Sequence, residues 1–338
     1  VEGPNDITRN IACEQPEYAY LYAKDIDKKP RDDTRKAACK SSVWAVNYAK
    51  DVDKGQHEVT KEAACRDPYE AYLYSFFIIK KPEKRIRRIV CQDPKAAVCY
   101  AKDIDKRPRD DTRKAACQDP KYAYEYARII DKRPRNDTRE IACKDSRCAY
   151  EYARYVDECP REDTRKSACM EAYSAYDYAR DIDKCARDDT RIAACKNSQT
   201  AFYYAKDIDK CPREDTRKSA SNKTLFAFNY AITIDNGPHD ITRKGACRGH
   251  KMAYKYAKAI DKGPHDNTRR AMKRSPEYAH SYALFIDKGP HDDTRIAVCK
   301  KPEYAYRYAL HIDKCPAEET WNAIKDTKYR DKYLNYFN

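Results

Sequence analysis

Glycine is scarce, at seven among 338 residues, and no glycine-rich phosphate loop can be assembled from them. The H-E-x-x-H and G-x-S-x-G signatures are absent too, and no Cys–His pair stands apart from the general pattern. Catalysis therefore has no foothold, and neither a catalytic residue nor a cofactor is expected. No C-x₂-C spacing occurs, so a zinc site is not expected. No apolar run approaches the length of a membrane span, and no signal-peptide pattern is present. No stretch alternates with period two for long enough to predict a strand. Long blocks of one charge are missing as well: stretches such as "DKRPRDDTRK" mix both signs.

What is present is repetition. Thr8, Thr34, Thr60, Thr112, Thr138, Thr164, Thr190, Thr216, Thr242, Thr268, Thr294 and Thr320 lie on a 26-residue grid, and Ile86 occupies the one grid point without threonine. Thirteen such units account for all 338 residues, with no insertion or linker. A period of this size marks a stacked-repeat architecture. With Asp27 as position 1, the unit reads D-K-x-P-x-D-D-T-R-K-A-A-C-K-D-P-x-Y-A-Y-x-Y-A-K-D-I.

Two helices per unit follow from the punctuation. After Pro30 and its equivalents, an Asp or Asn within three residues is expected to cap a first helix over "TRKAAC". Asp67, Asp93, Asp119, Asp145 and Asn197 are placed to cap the second. Pro16, Pro68, Pro94, Pro120, Pro276 and Pro302 then take the first helical position, where the missing N–H costs nothing. The second helix runs through phrases such as "YAYLYAKDID" for about 13 residues, or about 20 Å. Ala19, Tyr22, Ala23 and Ile26 form one stripe at i, i+3, i+4, i+7 spacing. Alanine recurs in twelve of thirteen units at the first of these columns and tyrosine in twelve at the second. One unit cannot bury such a stripe alone and must stack on the next. The expected fold is all-α: a right-handed-type α-solenoid of thirteen helix-turn-helix repeats in a single array over residues 1–338. At roughly 8–10 Å per layer it forms an extended superhelix of about 100–130 Å. A thin solenoid also suits the 37% charged residues and a mean hydropathy of −1.03. Residues 313–338 lose the alanine stripe and read as a degenerate capping repeat. Val1 stands where a starting methionine would, and the first unit shows no capping specialisation. Both are expected of a processed chain or one cut from a longer array, and an open end predicts end-to-end self-association.

Position 1 aspartates and position 9 arginines, such as Asp105, Arg113, Asp131 and Arg139, predict an ion-pair ladder between layers. Of the sixteen cysteines, ten share one column: Cys13, Cys39, Cys65, Cys91, Cys117, Cys143, Cys169, Cys195, Cys247 and Cys299. Layers about 9 Å apart hold neighbours too far apart for disulfides, whose Cα atoms lie within about 7 Å. These are expected to be buried thiols. Cys159, Cys185, Cys211 and Cys315 fall in a loop and are expected to be exposed. So many unpaired thiols predict a reducing, cytoplasmic setting.

The columns free to vary are positions 17, 21, 24 and 25, which cluster opposite the alanine stripe. They predict a recognition surface for a protein partner. Unit three replaces the usual "AKDID" with "SFFII" at 75–79. Phe76 and Phe77 thereby take outward positions, as docking anchors or, in a local repacking, folded under the neighbouring layer; Ile79 and Ile86 displace the usual Asp and Thr, so the contact between layers three and four must differ from the others. Ile232, Leu284, Phe285 and Leu310 are outward apolar candidates in later units. The alternative partner is a nucleic acid, suggested by the net charge of +14. Its phosphates would meet position 24 (Lys102, Arg128, Arg154, Arg180) and position 5 (Arg109, Arg135, Arg161). The mixed charge pattern and apolar letters at position 21 fit a base-reading array poorly. His57, His239, His265 and His291 share the position 5 column and are expected to be solvated loop histidines.

At "DPKYAYEYARIIDKRP" (119–134) and "KPEYAYRYALHIDKCP" (301–316) the chain resembles a short helical repeat of tailed-phage and large DNA-virus proteins, roughly D-P-x-Y-A-Y-x-Y-A-x-x-I-x-K-x-x-P. The likeness covers the second helix and following loop of most units. It departs in the first helix, where "DDTRKAAC" stands in place of an acidic, proline- and alanine-rich segment. The resemblance implies a viral setting, as a virion or host-interaction component, and supplies no site residues.

Overall fold

The computed structural model describes residues 4–337. They divide into two compact units, Val1–Ala168 and Cys169–Asn338. Both carry the same architecture: helix-turn-helix repeats stacked in an α-solenoid, with no strand among the described residues. Within each unit, second helices pack on second helices of the next repeat, and first helices on first helices.

Repeat two shows the plan. A seven-residue first helix, Asp32–Ala38, is followed by a tight turn and a second helix, Ser42–Tyr48. That helix continues into a wider π-helical turn, Ala49–Asp53. The chain then reverses through Lys54, whose φ is 54°. The same left-handed residue ends the second helix at twelve places, ten of them lysine, with Glu158 and Asn236 the others. This conformation usually selects glycine. At four of these places glycine comes one residue later, as Gly55, Gly237, Gly263 and Gly289, and the Gly55 amide reaches back to the Ala49 carbonyl at 3.2 Å. Neither the π turn nor the left-handed lysine was legible in the repeat pattern.

The second helices begin as their letters predict. Asp67 accepts the Tyr69 and Glu70 amides, both at 2.9 Å, and Asp93, Asp119, Asp145 and Asn197 cap in the same way. Pro68, Pro94 and Pro120 sit within the first turn. The first helices begin differently from expectation. Their N-cap is position 5, one residue before the acidic pair. The aspartates lie inside the first turn, where Asp33 accepts the adjacent Thr34 amide at 2.8 Å and Asp32 pairs with Arg35.

This register also revises the histidines. His57, His239, His265 and His291 are N-caps, each with Nδ1 accepting the amide two residues on, at 3.2–3.3 Å. They are structural side chains that satisfy an otherwise orphaned helix donor, rather than solvated loop residues.

The core is the alanine–tyrosine stripe. Ala45, Ala49, Ala71, Ala97 and Ala123 are wholly buried, as are Tyr48, Tyr74, Tyr100 and Tyr126. Small alanines let helices approach, and the tyrosine rings fill the space beside them. One site is tighter still. A Cβ on Gly245 would meet the Ser221 carbonyl oxygen at 2.6 Å, so the usual position 11 alanine does not fit there. In the last repeat Tyr333 is buried beside Trp321 and Phe337 and accepts the Ala317 amide at 3.3 Å, keeping the tyrosine anchor despite the degenerate sequence.

Candidate interaction surface

The surface is positioned by two polar devices within each repeat. The first centres on the buried tyrosine. The Tyr126 hydroxyl accepts the Arg109 amide at 2.9 Å, bonds the Arg109 carbonyl at 3.0 Å and lies 2.9 Å from the Thr112 hydroxyl. It thus pins the start of the first helix to the middle of the second, which is why threonine and tyrosine recur fourteen residues apart.

The second device is the Arg–Asp pair, whose geometry differs from the expected ladder. Arg113 reaches Asp131, eighteen residues on, at 3.0 Å, and Arg87 reaches Asp105 at 2.6 Å. Each pair therefore closes one helical hairpin. Arg139 and Arg191 also reach an acid of the following layer, Asp163 and Asp215, both at 2.9 Å.

Layers three and four each lose one device: layer three keeps the Tyr74–Thr60 bond at 3.2 Å but lacks the aspartate, and layer four keeps Arg87–Asp105 but lacks the threonine. Ile79 and Ile86 are buried in one apolar cluster with Val46, Tyr74, Val90, Tyr100 and Ile104. Lys61, standing where arginine usually does, finds no aspartate at 79 and pairs with Glu83 at 2.8 Å. The Tyr100 hydroxyl keeps the Glu83 amide at 2.8 Å and carbonyl at 3.3 Å, without a threonine.

Neighbouring second helices are laced across their outer face. Tyr20 donates to Asp51 at 2.5 Å, Tyr72 to Asp103 at 2.7 Å and Tyr176 to Asp207 at 2.8 Å, each pair 31 residues apart. Apolar letters coincide at the same spacing, as Val46 with Phe77 and Val98 with Ile129. This matching runs between position 20 and position 25 of the next repeat. A search at 31 residues rather than 26 would have found it in the sequence.

Against this laced face one patch stands out. Phe76 and Phe77 are 42% and 38% exposed, so they are surface residues rather than core. Their rings meet edge to face at 5.1 Å, Phe76 lies 5.9 Å from Tyr72, and Tyr72 lies 5.6 Å from Tyr69. The result is a four-ring row along one helix, buried at Tyr72, half-buried at Tyr69 and exposed as a ridge at Phe76 and Phe77. The Lys50 ammonium lies over Phe77 at 4.4 Å and that of Lys95 over Tyr69 at 4.2 Å. Burial, together with its bond to Asp103, pushes the Tyr72 phenol up, so it remains a donor. The later apolar candidates are less gathered. Ile232, Leu284 and Phe285 are exposed, Leu310 is half-buried, and Phe285 has Lys258 over its ring at 6.0 Å. Beside Leu310, His311 lies 6.3 Å from His280, which lies 6.4 Å from Tyr304.

The basic candidates are largely engaged at home. Arg180 bonds Asp181 at 2.7 Å and Asp177 at 3.0 Å. Arg135 reaches Asp137 at 3.2 Å, and Arg161 reaches Asp157 at 3.1 Å. Arg128 donates to the Tyr124 hydroxyl at 3.0 Å and lies over the Tyr155 ring at 4.7 Å. Arg154 donates to the Tyr150 hydroxyl. Arg109 is half-buried at a helix start, and Lys102 is exposed.

The cysteines form no disulfide among the described residues. Cys159, Cys185, Cys211 and Cys315 are exposed as expected. Within the other column Cys39 is buried and most members are half-buried. Burial pushes the thiols of Cys39, Cys91 and Cys117 up to about 11 and those of Cys143, Cys195 and Cys247 up to about 12, which keeps them protonated and unreactive. Among the described residues no group of three metal-ligating side chains is gathered, and no helix is long and apolar enough to cross a membrane. No family model, curated protein or solved structure matches the chain.

Proposed function

We propose that the chain is a non-enzymatic interaction scaffold that docks a protein partner on the second-helix face around Phe76 and Phe77. The observation that carries this reading is the exposed Phe76–Phe77 pair, built where the repeat breaks its own rules. Adjacent exposed rings such as Phe76 and Phe77 on an otherwise charged surface mark contact sites, and aromatic anchors dominate interface energies. The likeness of the repeat to viral sequences supports a virion or host-interaction setting, and the unpaired thiols support a reducing compartment.

The test is capture of the partner from the native source with the unaltered chain and with Phe76→Ala/Phe77→Ala. The double variant is expected to lose the partner while its melting transition stays within a few degrees. Retention of the partner, or a stability loss of about 3–5 kcal/mol as core phenylalanines give, would sink the reading.

A further inference from the structure

The chemistry of the partner can be taken a step further, resting on the docking reading above. We infer that the segment docked on the ridge is an acidic peptide with a bulky apolar anchor, its carboxylates meeting Lys50 and Lys95.

Charge carries the first half of the argument. Lys50 and Lys95 are exposed, hold their ammoniums over Phe77 and Tyr69, and form no ion pair among the described residues. The acids nearby are already committed. Asp51 takes Lys24 at 2.9 Å as well as Tyr20, and Asp103 takes Tyr72. Asp67 and Asp93 cap their helices. Glu70 is half-buried, and burial beside Asp67 raises its carboxyl toward the neutral form. The ridge is therefore edged by positive charge whose complement must come from outside.

Ring geometry carries the second half. A nucleic acid would stack bases on open ring faces. Here Phe77 has one face under the Lys50 ammonium and meets Phe76 edge to face, at an interplanar angle of 78°. Tyr69 has one face under Lys95. What remains exposed suits an aliphatic or aromatic side chain packing into the angle between the rings. A carboxylate beside that side chain would lie within reach of the lysines.

Fluorescence anisotropy on the full chain tests this with four labelled probes. Three are peptides sharing one Leu-Trp anchor, flanked by glutamates, serines or lysines. The fourth is a single-stranded oligothymidylate. The glutamate peptide should bind tightest and weaken about tenfold in Phe76→Ala/Phe77→Ala, and again in Lys50→Glu/Lys95→Glu, which should prefer the lysine peptide. Melting curves accompany each variant. If charge reversal impairs folding, Lys50→Gln/Lys95→Gln should still weaken the glutamate peptide. Equal or tighter binding of the serine or lysine peptide, still dependent on Phe76 and Phe77, overturns the acidic assignment and leaves the docking reading standing. Oligothymidylate binding that depends on the same four residues overturns it in favour of nucleic acid. If no peptide binds in a Phe76-dependent way, both fall.

Discussion

The junction of layers three and four and the regular repeat around Tyr126 solve one problem in two chemistries. In the regular repeat, Arg113, Asp131, Thr112 and Tyr126 form a buried polar network with its members mutually satisfied. At the junction, Ile79 and Ile86 fill the equivalent space with side chains that need no partner. The difference teaches that the stacking geometry is set by the alanine–tyrosine stripe, which both regions share. The polar network instead fixes register and excludes alternatives, because a satisfied network tolerates few arrangements. Replacing a buried ion pair by packed apolar groups is often neutral in stability. The junction makes part of that exchange, since Ile79 removes the buried acid while Lys61 turns to Glu83, and its apolar character continues outward into Phe76 and Phe77.

Alkaline pH acts on both regions alike and has the largest effect. Burial raises the phenols of Tyr48, Tyr74, Tyr100, Tyr126 and their equivalents above the ordinary value, and the column thiols likewise. A group raised in the folded state stabilises fully below its unfolded pKa, and that stability is lost as pH climbs toward the folded pKa. The loss should begin near about pH 9 for the thiols and about pH 10 for the tyrosines. Unfolding followed by circular dichroism should coincide with the late tyrosinate absorbance. Early tyrosinate formation in a still-helical chain would show the hydroxyls to be accessible.

A sharper cut between the regions is Asp131→Ala. It strands Arg113, which keeps only the exposed Asp110 at 2.7 Å, and should cost about 2–4 kcal/mol by urea denaturation. Arg113→Met/Asp131→Leu should recover most of that loss by importing the junction's solution. A double variant as unstable as the single one would mean that the apolar exchange works only at the junction.

The smallest contrast compares Tyr126→Phe with Tyr100→Phe. Tyr126→Phe strands the Arg109 amide and leaves the Thr112 hydroxyl only the Arg109 carbonyl at 3.3 Å, for about 1–3 kcal/mol, whereas Tyr100 has no threonine beside it. Chemical denaturation should show a smaller loss for Tyr100→Phe, and equal losses would remove the threonine from the network's account.

Much of the fold was legible because stacking demands that every layer present the same surface. The repeat length, the two helices, the capping aspartates of the second helix and the alanine–tyrosine stripe all follow from letters that recur. The site was legible in a narrower sense: "SFFII" announced itself by departing from the pattern. Whether Phe76 and Phe77 turned outward or under was not written in the letters, since both placements satisfy the same helical spacing.

The sequence by itself determined the period, the helical class and which columns could not vary, because local propensity and repeated burial act through neighbouring residues. Only the tertiary structure decided who pairs with whom. Arg113 meets Asp131 across a hairpin rather than Asp105 eight residues before it. His57 caps a helix. These partners are brought together by the π turn and the left-handed lysine that close each second helix, and that geometry depends on the whole hairpin folding against its neighbour.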